Sequence, residues 1–168
     1  MKSIFDESVK NFMQKKVVTI TSEKSMMDVA KLMSDKSISC VVVVEGNRPV
    51  GIVTERDVTR AIVRNRDLSP ILVRDFMSKP VLSIAPDTNI VHAARLMKEK
   101  NIRRFPIVKE EKLVGLITET DIMRAMIEII RHINFKLVNT EMDLEQYLTE
   151  MRKSKLVDHE DLFKKQKK

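Results

Sequence analysis

The chain has no tryptophan, one tyrosine, one cysteine and three glycines among 168 residues. The lone cysteine, Cys40, allows no intramolecular disulfide framework. Set at the start of the apolar run Val41–Val44, it reads as a small buried hydrophobe in a protein of a reducing cytoplasm. With so few glycines there is no Walker-type phosphate loop. No apolar run approaches the roughly 20 residues that a membrane helix needs, and the opening Met1-Lys2-Ser3-Ile4-Phe5-Asp6 acquires charge too soon for a signal peptide. The histidines His92, His132 and His159, taken with Cys40, lack metal-ligand spacing. No Ser/His/Asp or Cys/His set is tied to a nucleophile turn, so neither a metal centre nor an enzyme is expected.

What the chain does have is 43% hydrophobic and 33% charged residues, the ordinary balance of a soluble globular protein, with a net charge of +7. Residues 152–168 hold seven Lys or Arg against three acids, which is +4 of that +7. The body is therefore nearly neutral, and overall basicity is not a nucleic-acid signature. A nucleic-acid-binding or scaffold protein working through this tail is the alternative reading. Against it, Phe163 is the only aromatic among the tail lysines, where a stacking surface would need several.

The dominant feature is a duplication. Val50-Gly51-Ile52-Val53-Thr54-Glu55-Arg56-Asp57-Val58 returns sixty-four residues later as Val114-Gly115-Leu116-Ile117-Thr118-Glu119-Thr120-Asp121-Ile122. Sliding the chain by that offset gives 18 identities over 51 gapless positions, residues 12–62 against 76–126. Each copy reads as a buried strand ending at a Thr and turning into a helix. The first-turn N–H groups of that helix face whatever lies at the strand's end, a place that attracts anions and ribose hydroxyls. Thr-x-x-Asp is also an ordinary capping box, but its recurrence in register within a duplication points beyond capping.

Periodicity predicts an α/β chain of two β-α-β-β-α repeats with a C-terminal helical extension. Residues 1–11 form an amphipathic lead-in, 12–69 the first repeat, 70–130 the second and 131–168 the extension and tail. In the first repeat the expected elements are a strand Val17–Ile20, a helix capped near Ser25, a strand Ser39–Val44, a turn Glu45–Pro49, a strand Val50–Val53 and a helix from Glu55 to about Arg64. In the second they are a strand Val81–Ile84, a helix through Ile90 and Met97, a strand Arg104–Val108, a turn Lys109–Lys112, a strand Leu113–Ile117 and a final helix. That helix continues its apolar face through Met126, Ile129, Ile130, Ile133 and Leu137, about three turns past its twin. A further helix is expected over 141–153. Repeats of about 55 residues are marginal alone, so the two should pack on each other, and the surplus apolar helix surface suggests a homodimer.

These residues resemble a tandem pair of CBS domains, the family named after cystathionine beta-synthase. The resemblance spans roughly residues 9–130. It is carried by the element order, by Gly-h-h-Thr-x-x-Asp-h (h, hydrophobic) in both copies, and by Ile102-Arg103-Arg104-Phe105-Pro106-Ile107-Val108. It implies a pseudo-twofold pair with two clefts, each able to hold an adenosyl ligand such as AMP, ADP, ATP or S-adenosylmethionine, and a regulatory role toward a partner protein. Carried over from the family, Asp57 with Thr54 and Asp121 with Thr118 would bind ribose. The first strand of the opposite repeat would hold adenine, which puts Val18, Thr19 and Ile20 at Asp121's cleft and Leu82, Ser83 and Ile84 at Asp57's. Arg103 and Arg104, replaced by Ser39 and Cys40 in the first repeat, would bind phosphate, and they are expected to favour Asp121's cleft for phosphorylated ligands.

Overall fold

The computed structural model describes residues 7–65, 67–139 and 149. Most of the helix expected over 141–153, the basic tail, and Ile4 and Phe5 of the lead-in lie outside those residues. Among the described residues a 3-10 turn, Val9–Asn11, precedes β1 (Thr19–Ile20), α1 (Met26–Lys36), β2 (Cys40–Glu45), β3 (Arg48–Thr54) and α2 (Glu55–Arg64). After a short helix α3 (Val73–Phe76) come α4 (Ile90–Lys100), β4 (Arg104–Lys109), β5 (Lys112–Thr118) and α5 (Glu119–Asn139).

The helix boundaries follow from local chemistry. Ser25 caps α1 through a reciprocal box: its hydroxyl accepts from Asp28 N at 3.1 Å and its own N–H donates to Asp28 Oδ2 at 3.0 Å. Asn89 caps α4 by accepting from Val91 N and His92 N. Both helices end on a residue in the left-handed region, Ser37 and Asn101, each at φ 52°, sixty-four positions apart. The following Ile38 and Ile102 amides turn back to Met33 and Met97 carbonyls at 3.0 Å, so the duplication extends to the stop signals.

β2 pairs parallel with β1 and antiparallel with β3, and β4 pairs antiparallel with β5; each hairpin carries a register irregularity at the same place, Val43/Val44 and Ile107/Val108. The unbroken valine run in β2 is explained by its two faces. Val41 and Val43 join α1 and α2 in the first repeat's core, while Val42 and Val44 meet Leu116 in a seam between the repeats. A strand buried on both faces has no reason to alternate. Arg48 and Pro49, expected in the turn, begin β3 instead, with Pro49 opposite Val44 at the irregularity, one of the few places where a sheet tolerates proline.

The expected strand Val81–Ile84 does not form; only an isolated bridge from Ile84 to Ile107 is present. In the first repeat Val42 N donates to Val18 O at 3.2 Å, securing β1. The matched donor position in the second repeat is Pro106, which has no N–H to offer Leu82.

The lead-ins cross. Gln14 exchanges backbone hydrogen bonds with Leu116 of β5, both at 2.9 Å, and Ser78 does the same with Ile52 of β3 at 2.9 and 3.2 Å. Accordingly Val9 is fully buried in the second repeat's core, with Phe12 and Met13 packed beside it, whereas Leu68, Val73, Phe76 and Met77 pack into the first repeat's core. The crossing depends on two glycines. A Cβ on Gly51 would lie 2.5 Å from Met77 Sδ, and one on Gly115 would lie 2.5 Å from Met13 Sδ. Among the described residues no helix is long and apolar enough to cross a membrane.

Candidate functional site

Each β3-α2 or β5-α5 junction opens into a cleft completed by the opposite repeat. One, of about 370 Å³, holds Thr54 and Asp57 and is walled by Val81, Leu82, Ile102, Arg103 and Arg104. The other, of about 450 Å³, holds Thr118 and Asp121 and is walled by Val17, Val18, Ile38, Ser39 and Cys40, again with Arg103 and Arg104.

The acidic residues are fixed by their own helix starts. Thr54 donates to Asp57 Oδ2 from its backbone N at 2.7 Å and its hydroxyl at 2.8 Å. Thr118 does the same to Asp121 Oδ2 at 2.9 and 2.6 Å. Thr-x-x-Asp is thus a capping box in both places, and capping is what aims the carboxylate. Asp57 is 3% and Asp121 6% exposed, so both are carboxylates at the floor of a cleft rather than surface acids. Three carbons of chain fix Oδ2 and leave Oδ1 turned away from the cap, able to accept from something else.

That second oxygen is handled differently in the two clefts. Oδ1 of Asp57 is paired with Arg60, one helical turn along α2, while Asp121 receives the Gln14 side-chain amide at 3.5 Å on Oδ1 and 3.3 Å on Oδ2. Gln14 belongs to the crossing lead-in, so two stretches far apart in the chain meet at Asp121. Both clefts carry more cations than acids, four against two, since Glu55 joins Asp57 in one and Glu119 joins Asp121 in the other. Asp57's has Arg56 and Arg60, Asp121's has Lys16 and Arg124, and the two share Arg103 and Arg104. Guanidiniums beside a carboxylate suit a ligand with hydroxyls at one end and an anionic group at the other.

Of the residues expected from sequence, Thr54, Asp57, Thr118, Asp121, Val18 and Leu82 line the clefts where the crossing puts them. Thr19, Ile20, Ser83 and Ile84 are not among the lining residues; the walls come from slightly earlier positions, Val17–Val18 and Pro80–Leu82. Arg103 and Arg104, expected to favour Asp121's cleft, border both. By the crossing, the Asn101–Arg104 stretch is primarily a wall of Asp57's cleft. Arg60, Arg124 and Gln14 were missed. The two arginines had a signal in the sequence, since both stand three residues after the aspartate, on the same helix face, and are identical between repeats. Gln14 had none, because its matched residue is Ser78.

Comparison with known proteins gives a consistent picture. A family model described as CBS domain matches residues 9–64 and again 73–128. An uncharacterized protein of Methanopyrus kandleri is 35% identical over 120 residues, 70% of this chain and 61% of that protein. The chain thus spans less than two thirds of that relative. A CBS domain pair crystallised in complex with 5′-methylthioadenosine and S-adenosyl-L-methionine superposes with a TM-score of 0.65 at 28% identity, covering 71% of this chain and 95% of that one. The hexameric CBS-CP12 protein from bloom-forming cyanobacteria gives 0.64 at 30% identity, covering 70% and 71%.

Proposed function

The chain belongs to the CBS-domain family as a tandem pair, and from that premise we propose that it senses an adenosyl compound in the clefts of Asp57 and Asp121 and passes occupancy to a partner protein. The observation that carries this reading is the pair of buried carboxylates, each oriented by a threonine on Oδ2, with Arg60 at Oδ1 of Asp57 and the Gln14 amide across both oxygens of Asp121. A carboxylate in this state accepts two vicinal hydroxyls, the chemistry of ribose. Val18 and Leu82 give the base an apolar wall, and the shared arginines give a phosphate a counter-charge. The basic clefts favour AMP, ADP or ATP over the cationic S-adenosylmethionine.

The proposal extends to assembly. Ile62 and Val63 on α2 and Met123, Ile127 and Ile130 on α5 are exposed apolar side chains. They provide contact surface for a homodimer and, along the longer α5, for a regulated partner in the cytoplasm. The decisive experiment is calorimetric titration of the full chain with AMP, ADP, ATP and S-adenosylmethionine. Saturable binding of at least one supports the reading, and the absence of binding by all four removes it.

A further inference from the structure

Among the cleft positions at which the repeats differ are Ser39 and Cys40 in the first, matched by Arg103 and Arg104 in the second. Arg104 Nη1 donates across the repeats to the Ser39 carbonyl at 3.0 Å. That same carbonyl accepts from Glu55 N, the first amide of the helix that carries Asp57, at 3.3 Å. The guanidinium therefore sits on the partition between the clefts, bordering both. The pseudo-symmetry that turns Asp57 into Asp121 does not duplicate this cation, because Cys40 stands in its place. Each cleft does have two cations of its own, Arg56 and Arg60 in one and Lys16 and Arg124 in the other, but Arg60 is already engaged with Asp57, and only Arg103 and Arg104 border both.

We propose that Arg103 and Arg104 form one anion seat shared by the two clefts, so that a phosphorylated ligand in one weakens binding of a phosphorylated ligand in the other and leaves an uncharged nucleoside unaffected. This rests on the adenosyl reading above. A guanidinium is a planar fork that engages phosphate through paired N–H groups, and a fork turned toward one cleft is turned away from the other. A first phosphate recruits both shared guanidiniums; a second finds them committed. The penalty is reciprocal, because coupling between two sites is a single free energy.

The test is titration of the full chain with AMP and with adenosine. Asp57→Ala and Asp121→Ala each leave one intact cleft and supply the single-cleft constants. Asp57→Asn and Asp121→Asn, which keep a capping acceptor, are run beside them to separate a lost cleft from a lost fold. With adenosine, wild type should equal the two single-cleft curves combined. With AMP, the second wild-type constant should be about tenfold weaker than its single-cleft value. Arg104→Ala should weaken AMP at both clefts and abolish the discrepancy. An AMP curve equal to the combined single clefts overturns the seat, as does an effect of Arg104→Ala on one cleft alone. A discrepancy that grows in Arg104→Ala also overturns it, by assigning the coupling to repulsion between phosphates. If adenosine binds without AMP coupling, the seat alone fails; if neither AMP nor adenosine binds while ATP or S-adenosylmethionine does, the seat fails and the adenosyl reading stands, and if none of these ligands binds, both fail.

Discussion

Met13 Sδ lies 2.5 Å from where a Cβ on Gly115 would stand, although the two are 102 positions apart in the chain. The contact fastens the lead-in of one repeat onto the sheet of the other, and Met77 over Gly51 repeats it. Gly115→Ala and Gly51→Ala should each destabilise the protein by about 1–3 kcal/mol through overpacking. The larger effect is expected at Gly115, where the Gln14 carbonyl, at 3.2 Å from the added carbon, must move as well as the flexible methionine. Urea denaturation of both variants checks the order. Equal, negligible losses would mean that the methionines simply swing aside.

Asp121→Ala should weaken AMP about ten- to a hundredfold at its cleft, the loss of charged hydrogen bonds to ribose. It should also lower stability by about 1 kcal/mol, because the same carboxylate caps α5. Asp121→Asn separates these effects by restoring most of the stability and little of the affinity. Asp57→Ala should behave likewise in the other cleft. Loss of stability without loss of affinity would reduce both aspartates to capping residues.

Acid should loosen α1. The Ser25 backbone N–H, and then its hydroxyl, donate to Asp28 and hold its carboxyl below the usual carboxylate range. A depressed folded pKa gives stability that is present above the unfolded value, near 4, and lost as pH falls through the folded value. Asp67, lowered in the same direction by Ser69, acts with the same sign. Denaturation midpoints should therefore fall less steeply below about pH 4 in Ser25→Ala than in wild type. At neutral pH that variant should be about 1 kcal/mol less stable from the lost cap. Because the alanine keeps the backbone N–H, the larger of the two donors, the variant tests only the hydroxyl's share, and parallel acid curves would remove that hydroxyl as a source.

Val63, 81% exposed on α2, and Ile127, 46% exposed on α5, stand at positions matched by the duplication. Sedimentation at micromolar concentration should find wild type dimeric and the Val63→Glu, Ile127→Glu double variant monomeric, with nucleotide affinity per chain retained. A monomeric wild type would end the homodimer proposal.

The sequence was informative wherever the information was local and duplicated. The Thr-x-x-Asp pairs recur at one offset, and the start of α2 follows from them directly; the left-handed stops Ser37 and Asn101 share that offset but emerged only from the structure. It was weaker where partners are remote. Val17–Ile20 and Val81–Ile84 read as equivalent strands, yet the first forms β1 at Thr19–Ile20 and the second only a single bridge, because the deciding residue is Pro106 on a different strand. The basic pair Arg103–Arg104 reads as belonging to its own repeat, yet the crossing makes it a wall of the other repeat's cleft. Linear order alone shows neither that Gln14 reaches Asp121 nor that Val9 fills the distant core. Such contacts are set by how two surfaces pack, and no periodicity encodes them.

The exchanged lead-ins also set the size of the cooperative unit. A break within 65–72 would leave one fragment carrying Val9 and Met13 without the core they fill, and the other carrying Val73 and Met77 in the same position. Neither fragment inherits a complete interior, so opening one repeat must expose the other, and amide protons in β2 and β4 should exchange at a common rate through global unfolding. What can be inherited, transplanted or lost intact is the pair; half of it is not a domain.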